Sequence, residues 1–186
     1  MNTCYNAVDR RVENGRGKQA ALIYDSPVTG TIKTYSYYDL QDEVARFAGV
    51  LAAQGVTKGD RVIIYMSMVP EAAIAMLACA RIGAVHSVVF AGFSPEALAG
   101  RIEDGNSQFI ITANQGLRAG KFVPLKDNID RAIELCPAEQ VKHVVVLQHT
   151  DTDVNVVPNR DVGYHTLVNT QSDVCAPEKM NAEDPL

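Results

Sequence analysis

The residues with the most chemical promise lie in Gly116-Leu117-Arg118-Ala119-Gly120-Lys121, two cations on a glycine-containing stretch. A phosphate loop needs four residues between its glycines and a hydroxyl after the lysine. Here three separate them and Phe122 follows, so there is no oxygen to meet magnesium. What survives is Arg118 and Lys121 on a loop after an apolar run, the place where α/β folds tend to receive ligands. The plainer alternative is a solvated basic turn, which the spacing alone favours because charged loop residues mostly stay in water. A second candidate, Gly92-Phe93-Ser94-Pro95-Glu96, shares only the first three residues of a nucleophile elbow, since Glu96 stands where a second glycine belongs. Ser94 is therefore read as a helix cap followed by Pro95 in the first turn. Gly92 permits either the close approach of a ligand or a tight turn.

Other reactive types are scattered. The four histidines, His86, His143, His149 and His165, have no partner at ligand spacing, and His86 and His143 fall inside predicted strands, so hydrogen-bonded sheet histidines are expected rather than metal ligands. The four cysteines, Cys4, Cys79, Cys136 and Cys175, form no C-x-x-C, and Cys79 reads as a small buried hydrophobe. Asp9, Asp25 and Asp60 flank turns and helix ends, where acids do local work. No catalytic pair of carboxylates and no metal site stands out.

The elements that must position these residues centre on Gly59 to Thr112. Apolar runs at Val62 to Met66, Ala84 to Phe90 and Phe109 to Thr112 alternate with helical segments, the pattern of parallel β-α-β-α-β units. The runs are nearly continuous rather than alternating, as in strands covered on both faces. Pro70-Glu71 opens the first crossover helix and Gly83 ends it, while Ser94 caps the second and Gly105 stops it. Upstream, Asn2 to Arg10 allows a short helix capped by Asn2 or Thr3 and broken at Asn14 to Gly17. Ala20 to Tyr24 and Thr31 to Tyr35 read as a hairpin. Ser36 with Asp39 resembles a capping box, and Leu40, Val44, Phe47, Ala48 and Leu51 make one helical stripe closed by Gly55. Downstream, Ala113 to Lys121 reads as a loop, a helix follows Pro124 with Leu125, Ile129, Ala132 and Ile133 on one face, and Val141 to Leu147 is a strand. From Thr150 to Leu186 the reading is loop with short strands. The fold class is thus α/β, a parallel sheet flanked by helices with an N-terminal hairpin.

Composition sets the outer bounds. At 186 residues the chain is long enough to bury about 70% of its unfolded surface. A hydrophobic content of 47% with 21% charged residues is that of a soluble globular protein, with no apolar run of membrane-spanning length. MNTCYNAVDR has polar and charged residues where a signal peptide needs an apolar core, so the cytoplasm is the expected location. A net charge of -5 excludes a general nucleic-acid footprint and leaves any anionic ligand to a local cluster.

Met76 to Asp104, MLACARIGAVHSVVFAGFSPEALAGRIED, with Leu117 to Lys126, LRAGKFVPLK, and Asn2 to Arg10, NTCYNAVDR, resembles the N-terminal domain of short-chain acyl-CoA synthetases, AMP-forming ligases of the adenylate-forming superfamily. The likeness covers nearly the whole chain. It implies a reaction in which acetate or propionate is activated by ATP and Mg2+ to an acyl-adenylate and passed to the thiol of coenzyme A. Coenzyme A and the carboxylate are then the partners, with neither nucleic acid nor membrane. The resemblance also implies that a Phe-Gly-Gly-Phe turn and an Arg-x-Gly-Arg/Lys loop contact the nucleotide end of coenzyme A. Those positions are Phe90-Ala91-Gly92-Phe93, with alanine replacing the first glycine, and Arg118, Ala119, Gly120 and Lys121. Lys121 can oppose phosphate as a point charge but not as a bidentate fork. The acyl group is left divided: NTCYNAVDR is more like propionate enzymes, SPEALAGRI and LRAGK more like acetate enzymes.

In that family a Ser/Thr/Gly-rich phosphate loop follows a string like Asn181 to Leu186, and a C-terminal domain carries a catalytic lysine. The resemblance therefore implies that residues 1–186 are a partial N-terminal domain, itself inactive and able to self-associate through uncovered surfaces. A free-standing coenzyme A or nucleotide binding module, or a structural remnant, are the alternatives. The expected outcome is background carboxylate-dependent pyrophosphate exchange by the isolated polypeptide, because no group in it can cradle a triphosphate. A robust acetate- or propionate-driven signal contradicts the fragment reading.

Overall fold

A computed structural model of the chain describes residues 1–118 and 120–186. In chain order, two π-type helical segments (Tyr5–Asp9 and Val12–Arg16) precede β1 (Ala20–Ser26), β2 (Thr31–Ser36), α1 (Tyr37–Ala53), β3 (Arg61–Met66), α2 (Pro70–Ile82), β4 (Val85–Phe90) and α3 (Pro95–Asp104). There follow β5 (Phe109–Ala113), β6 (Gly116–Arg118), β7 (Lys121–Val123), α4 (Leu125–Leu135), β8 (His143–Leu147), β9 (Asp161–Gly163) and α5 (Tyr164–Val168). These elements form two compact units, one of Met1–Gly59, Val69–Val85 and Val168–Leu186, the other of Asp60–Met68 and His86–Leu167. Among the described residues no helix is long and apolar enough to cross a membrane.

In the first unit, β1 and β2 pair antiparallel as the expected hairpin. The Ser36 and Asp39 capping box is complete in both directions, and the stripe of α1 is buried throughout. Asn2 caps the N-terminal turn by accepting from the Tyr5 amide at 3.1 Å. The helical path breaks inside the expected segment Asn14 to Gly17, at Gly15, whose φ is +77°. The polar centre of this unit is Arg81, buried on α2. Its Nη1 and Nη2 donate to Asp9 Oδ2 and Oδ1 at 2.8 and 2.9 Å, and its Nε donates to the Cys175 carbonyl. Gln41 Nε2 donates to the same Asp9 Oδ1 at 2.9 Å, so the buried pair is charge-balanced and hydrogen-bonded. Cys79 is fully buried as expected, and burial pushes its thiol up to about 12.

The second unit is a five-stranded parallel sheet in the order β4-β3-β5-β8-β9. Parallel pairing puts Ile64 beside Ile111 and Ile111 beside Val145. Val62 to Met66 and Phe109 to Ala113 are buried without interruption, as continuous apolar runs require. Helices α3 and α4 pack on each other, with Leu98, Ile102, Leu125, Ile129 and Ala132 inward. Gly105 caps α3 in a right-handed conformation, and the left-handed residue of the stop is Asn106, φ +44°. One expectation is corrected here and another is met. The stretch Ala113 to Lys121, read as loop, instead supplies most of the β6–β7 hairpin (Gly116–Arg118 with Lys121–Val123), while β9, one of the short strands expected after Thr150, closes the sheet beyond β8.

β9 is held by charge rather than by apolar pattern. Lys126 Nζ, fully buried, lies 2.7 Å from Asp130 Oδ2, 2.8 Å from Asp161 Oδ2 and 2.9 Å from the Asn155 carbonyl, while Arg160 reaches both acids. Burial alone raises the Asp161 carboxyl, but hydrogen bonds from Arg160, Lys126 and the Val157 amide outweigh it and hold the group below the usual carboxylate range. A depressed native value means that its stabilising contribution is present above the unfolded value, about 3.9, and is lost as pH falls through the native one. Asp161→Asn is expected to cost about 3 to 5 kcal/mol at neutral pH, because it leaves Lys126 buried with one partner fewer, and to flatten the acid limb of the stability curve. Urea titrations at pH 7 and below 4 check both; an unchanged acid slope contradicts this account of β9.

Candidate functional site

Strands β3, β4 and β5 all end on one side of the sheet, and the chain leaves each as a turn or loop. Strand order reverses there, since the connection from β3 leads out to β4 and the next returns past β3 to β5, the switch point at which open α/β sheets leave a crevice. The turn after β4, Phe90-Ala91-Gly92-Phe93, is closed by the Phe93 amide donating to the Phe90 carbonyl at 3.0 Å. It is anchored from beneath by Tyr65, whose hydroxyl shares its proton between the Ala91 carbonyl at 3.2 Å and the Phe93 carbonyl at 3.0 Å and accepts from Asn128 Nδ2 at 3.2 Å. Burial raises the Tyr65 phenol above its ordinary range, against a smaller opposing effect of the Asn128 bond, so it is neutral and a donor at physiological pH.

The β6–β7 hairpin brings the second half of the site. Arg118 and Lys121 are direct cross-strand partners, so their side chains leave the same face of the ribbon. Gly120 takes φ +74° in the connection between them, a value a side chain would strain; Ala119 lies outside the described residues. Gly116 lets the hairpin sit down on the end of β3, because a Cβ there would lie 3.1 Å from Ser67 Cβ and 3.4 Å from Leu125 Cδ1. Asn114, fully buried at the end of β5, accepts through Oδ1 from the Gln115 and His149 amides at 2.8 and 2.9 Å and donates through Nδ2 to the Thr150 and Thr152 carbonyls at 2.8 Å. It ties the start of the hairpin to the loop after β8.

The two halves meet at Arg118. Its guanidinium lies over the Phe90 ring, 4.7 Å from the centroid, and against Gly92, where an added Cβ would fall on Nη1 and come within 3.0 Å of Cζ. Gly92 is therefore a close-approach glycine as well as a turn residue, and what approaches it is the arginine. The structure joins Gly92 with Arg118 and sets Lys121 beside Arg118 on one ribbon face. Ser94 is the expected cap, accepting from the Ala97 amide at 3.4 Å. His86 departs from the expectation of a hydrogen-bonded sheet histidine: its Nδ1 is buried with no partner among the described residues, and burial lowers its pKa so that it stays neutral. His143 stacks on Phe109 at 5.5 Å. Tyr65 and Asn128 went unread in the sequence; the signal was a phenol inside a buried apolar strand, which must find a partner.

Comparison with known proteins follows the same lines. The sequence profile of the AMP-binding enzyme family matches residues 8–186. An acetyl-coenzyme A synthetase of Syntrophobacter fumaroxidans is 52% identical over the whole chain, and one of Parvibaculum lavamentivorans is 53% identical; this chain spans 28% of the length of each. In fold it is similar to the crystal structure of a Brucella canis acyl-CoA synthetase, with a TM-score of 0.77 over 99% of this chain and 30% of that one at 23% identity. The chain is a homologue of part of the AMP-forming acetyl-CoA synthetases, and it belongs to the AMP-binding enzyme family.

Proposed function

We propose that the chain is part of an AMP-forming acyl-CoA ligase, acetate-activating in line with its relatives, and that the surface of Gly92, Arg118, Gly120 and Lys121, with Ala119 between them in sequence, receives the nucleotide end of coenzyme A. The observation that carries this reading is the seating of Arg118 on Gly92 and Phe90. A basic turn that merely stays solvated has no need of a close-approach glycine beneath its guanidinium. Two cations directly opposite each other on a two-stranded ribbon repel, and an anion between them removes that cost. In a protein of net charge -5, such a pair is a local anion site rather than part of a general basic surface.

In the whole enzyme the acetate oxygen attacks the α-phosphate of ATP, pyrophosphate leaves, and the thiol of coenzyme A then attacks the acyl-adenylate and releases AMP. Residues of this chain act in the second half-reaction only. Arg118 and Lys121 bind and orient the nucleotide phosphates so that the pantetheine arm can reach the acyl group. The reading assigns no residue here to ATP or Mg2+, places the ligase in the cytoplasm, treats residues 1–186 as part of its N-terminal domain, and leaves propionate as the second carboxylate. The uncovered edge of β4, with Val88 and Phe90 exposed, is a surface for self-association.

Coenzyme A binding to the chain, measured by calorimetry at low salt, tests the site. Arg118→Ala is expected to weaken it by about 1 to 3 kcal/mol, the value of a charge-assisted hydrogen bond to phosphate, and the loss should shrink as salt rises. With coenzyme A lacking its 3′-phosphate the penalty should be much smaller. Gly92→Ala, which pushes the guanidinium off its seat, should weaken binding too and add little to Arg118→Ala. An equal penalty with and without the 3′-phosphate overturns the assignment.

A further inference from the structure

Arg118 is one end of a longer arrangement. Its guanidinium lies on Phe90, Phe90 meets Phe93 edge-on with centroids 6.3 Å apart and planes at 80°, and Arg101 lies over the Phe93 ring at 5.1 Å. Neither ring is held by burial, since Phe90 is 57% and Phe93 38% exposed. An edge-to-face pair leaves a ring face for a cation at each end, and cations prefer the negative face of an aromatic quadrupole. The backbone of the turn is fixed separately by Tyr65 and Asn128, so the ladder of contacts governs where the rings lie and not whether the turn forms. Arg101 stands two turns into α3 and is exposed, and α3 has its own cap at Ser94 and its own buried residues at Leu98 and Ile102. None of these contacts uses the Arg101 side chain.

We propose that Arg101 is a positioning residue for the anion site: it holds Phe93, Phe93 holds Phe90, and Phe90 is the platform that orients the Arg118 guanidinium. The inference rests on the reading of Gly92 and Arg118 as the seat of a nucleotide phosphate and adds a residue that touches no ligand. Positioning makes a demand that a diffuse positive charge does not. If Arg101 acts through the rings, its loss matters only while Arg118 is present.

The probe is adenosine 3′,5′-bisphosphate, titrated into isotope-labelled chain and followed by the shift of the Gly92 amide, with thermal unfolding as the control for folding. Arg101→Ala should weaken binding about 2- to 5-fold, the scale of an exposed cation–π contact, at an unchanged unfolding midpoint. Arg101→Lys, which restores a cation over the ring, should bind within about 2-fold of the unaltered chain. In an Arg118→Ala background, Arg101→Ala should cause no further loss. Arg101→Ala binding like the unaltered chain, while Arg118→Ala is impaired, removes the role of Arg101 and leaves the site reading intact. The same loss in both backgrounds makes Arg101 a separate charge and overturns positioning. No binding by the unaltered chain overturns the site reading and this proposal with it.

Discussion

A phenol placed inside a strand that is covered on both faces must bury its hydroxyl, and a buried hydroxyl without a partner costs about 1 to 3 kcal/mol. Tyr65 meets that demand with the carbonyls of Ala91 and Phe93. The rest of the site follows from this choice. Those carbonyls belong to the turn after β4, so the turn is fixed against the end of β3. With the turn fixed, Gly92 presents bare backbone and Phe90 and Phe93 present their rings. Gly116 brings the β6–β7 hairpin down on the same strand end, and Arg118 comes to rest on the turn.

The cations of the chain divide by what surrounds them. Arg81 and Lys126 are buried and paired, with Asp9 in one unit and with Asp130 and Asp161 in the other, and their charge is consumed in holding chain segments together. Arg118, Lys121 and Arg101 are exposed, and two of them lie on aromatic faces. A ring holds a guanidinium in place without neutralising it, so the charge stays available to an incoming anion. That separates a positioned cation from a structural one more sharply than sequence spacing does.

The parts of the fold legible in the sequence are those set by local rules: the caps at Ser36 and Ser94, the stripe of α1, and β3 and β5, whose apolar runs are continuous because both faces are covered; β4 was located correctly but not its burial, because it lies at the sheet edge with Val88 and Phe90 exposed. The hairpin of residues 116–123 was not legible, because three-residue strands carry too little pattern and its placement depends on Gly116 meeting Ser67 and Leu125. Short strands were expected after Thr150, but the position of β9 was not legible, because Asp161 is buried there by virtue of Lys126 and Arg160, an ion-pair network that no periodicity reports. At the site, Gly92, Arg118 and Lys121 could be named from the family resemblance, but the residues that hold them, Tyr65, Asn128 and Phe90, read only as core or edge. Contacts between distant segments decide those roles. His86 shows the limit from the other side, a strand histidine correctly located whose Nδ1 finds no hydrogen-bond partner among the described residues.

On the proposed reading, the turn after β4 and the β6–β7 hairpin form one anion-binding surface built on Tyr65. The most direct measurement is amide shift mapping of the isotope-labelled chain as coenzyme A is added. The responding amides are then expected to be those of Gly92, Phe93, Arg118, Gly120 and Lys121, moving together along one binding curve, with Tyr65→Phe dispersing the response. Shifts confined to either segment alone, or centred on residues away from both, would contradict it.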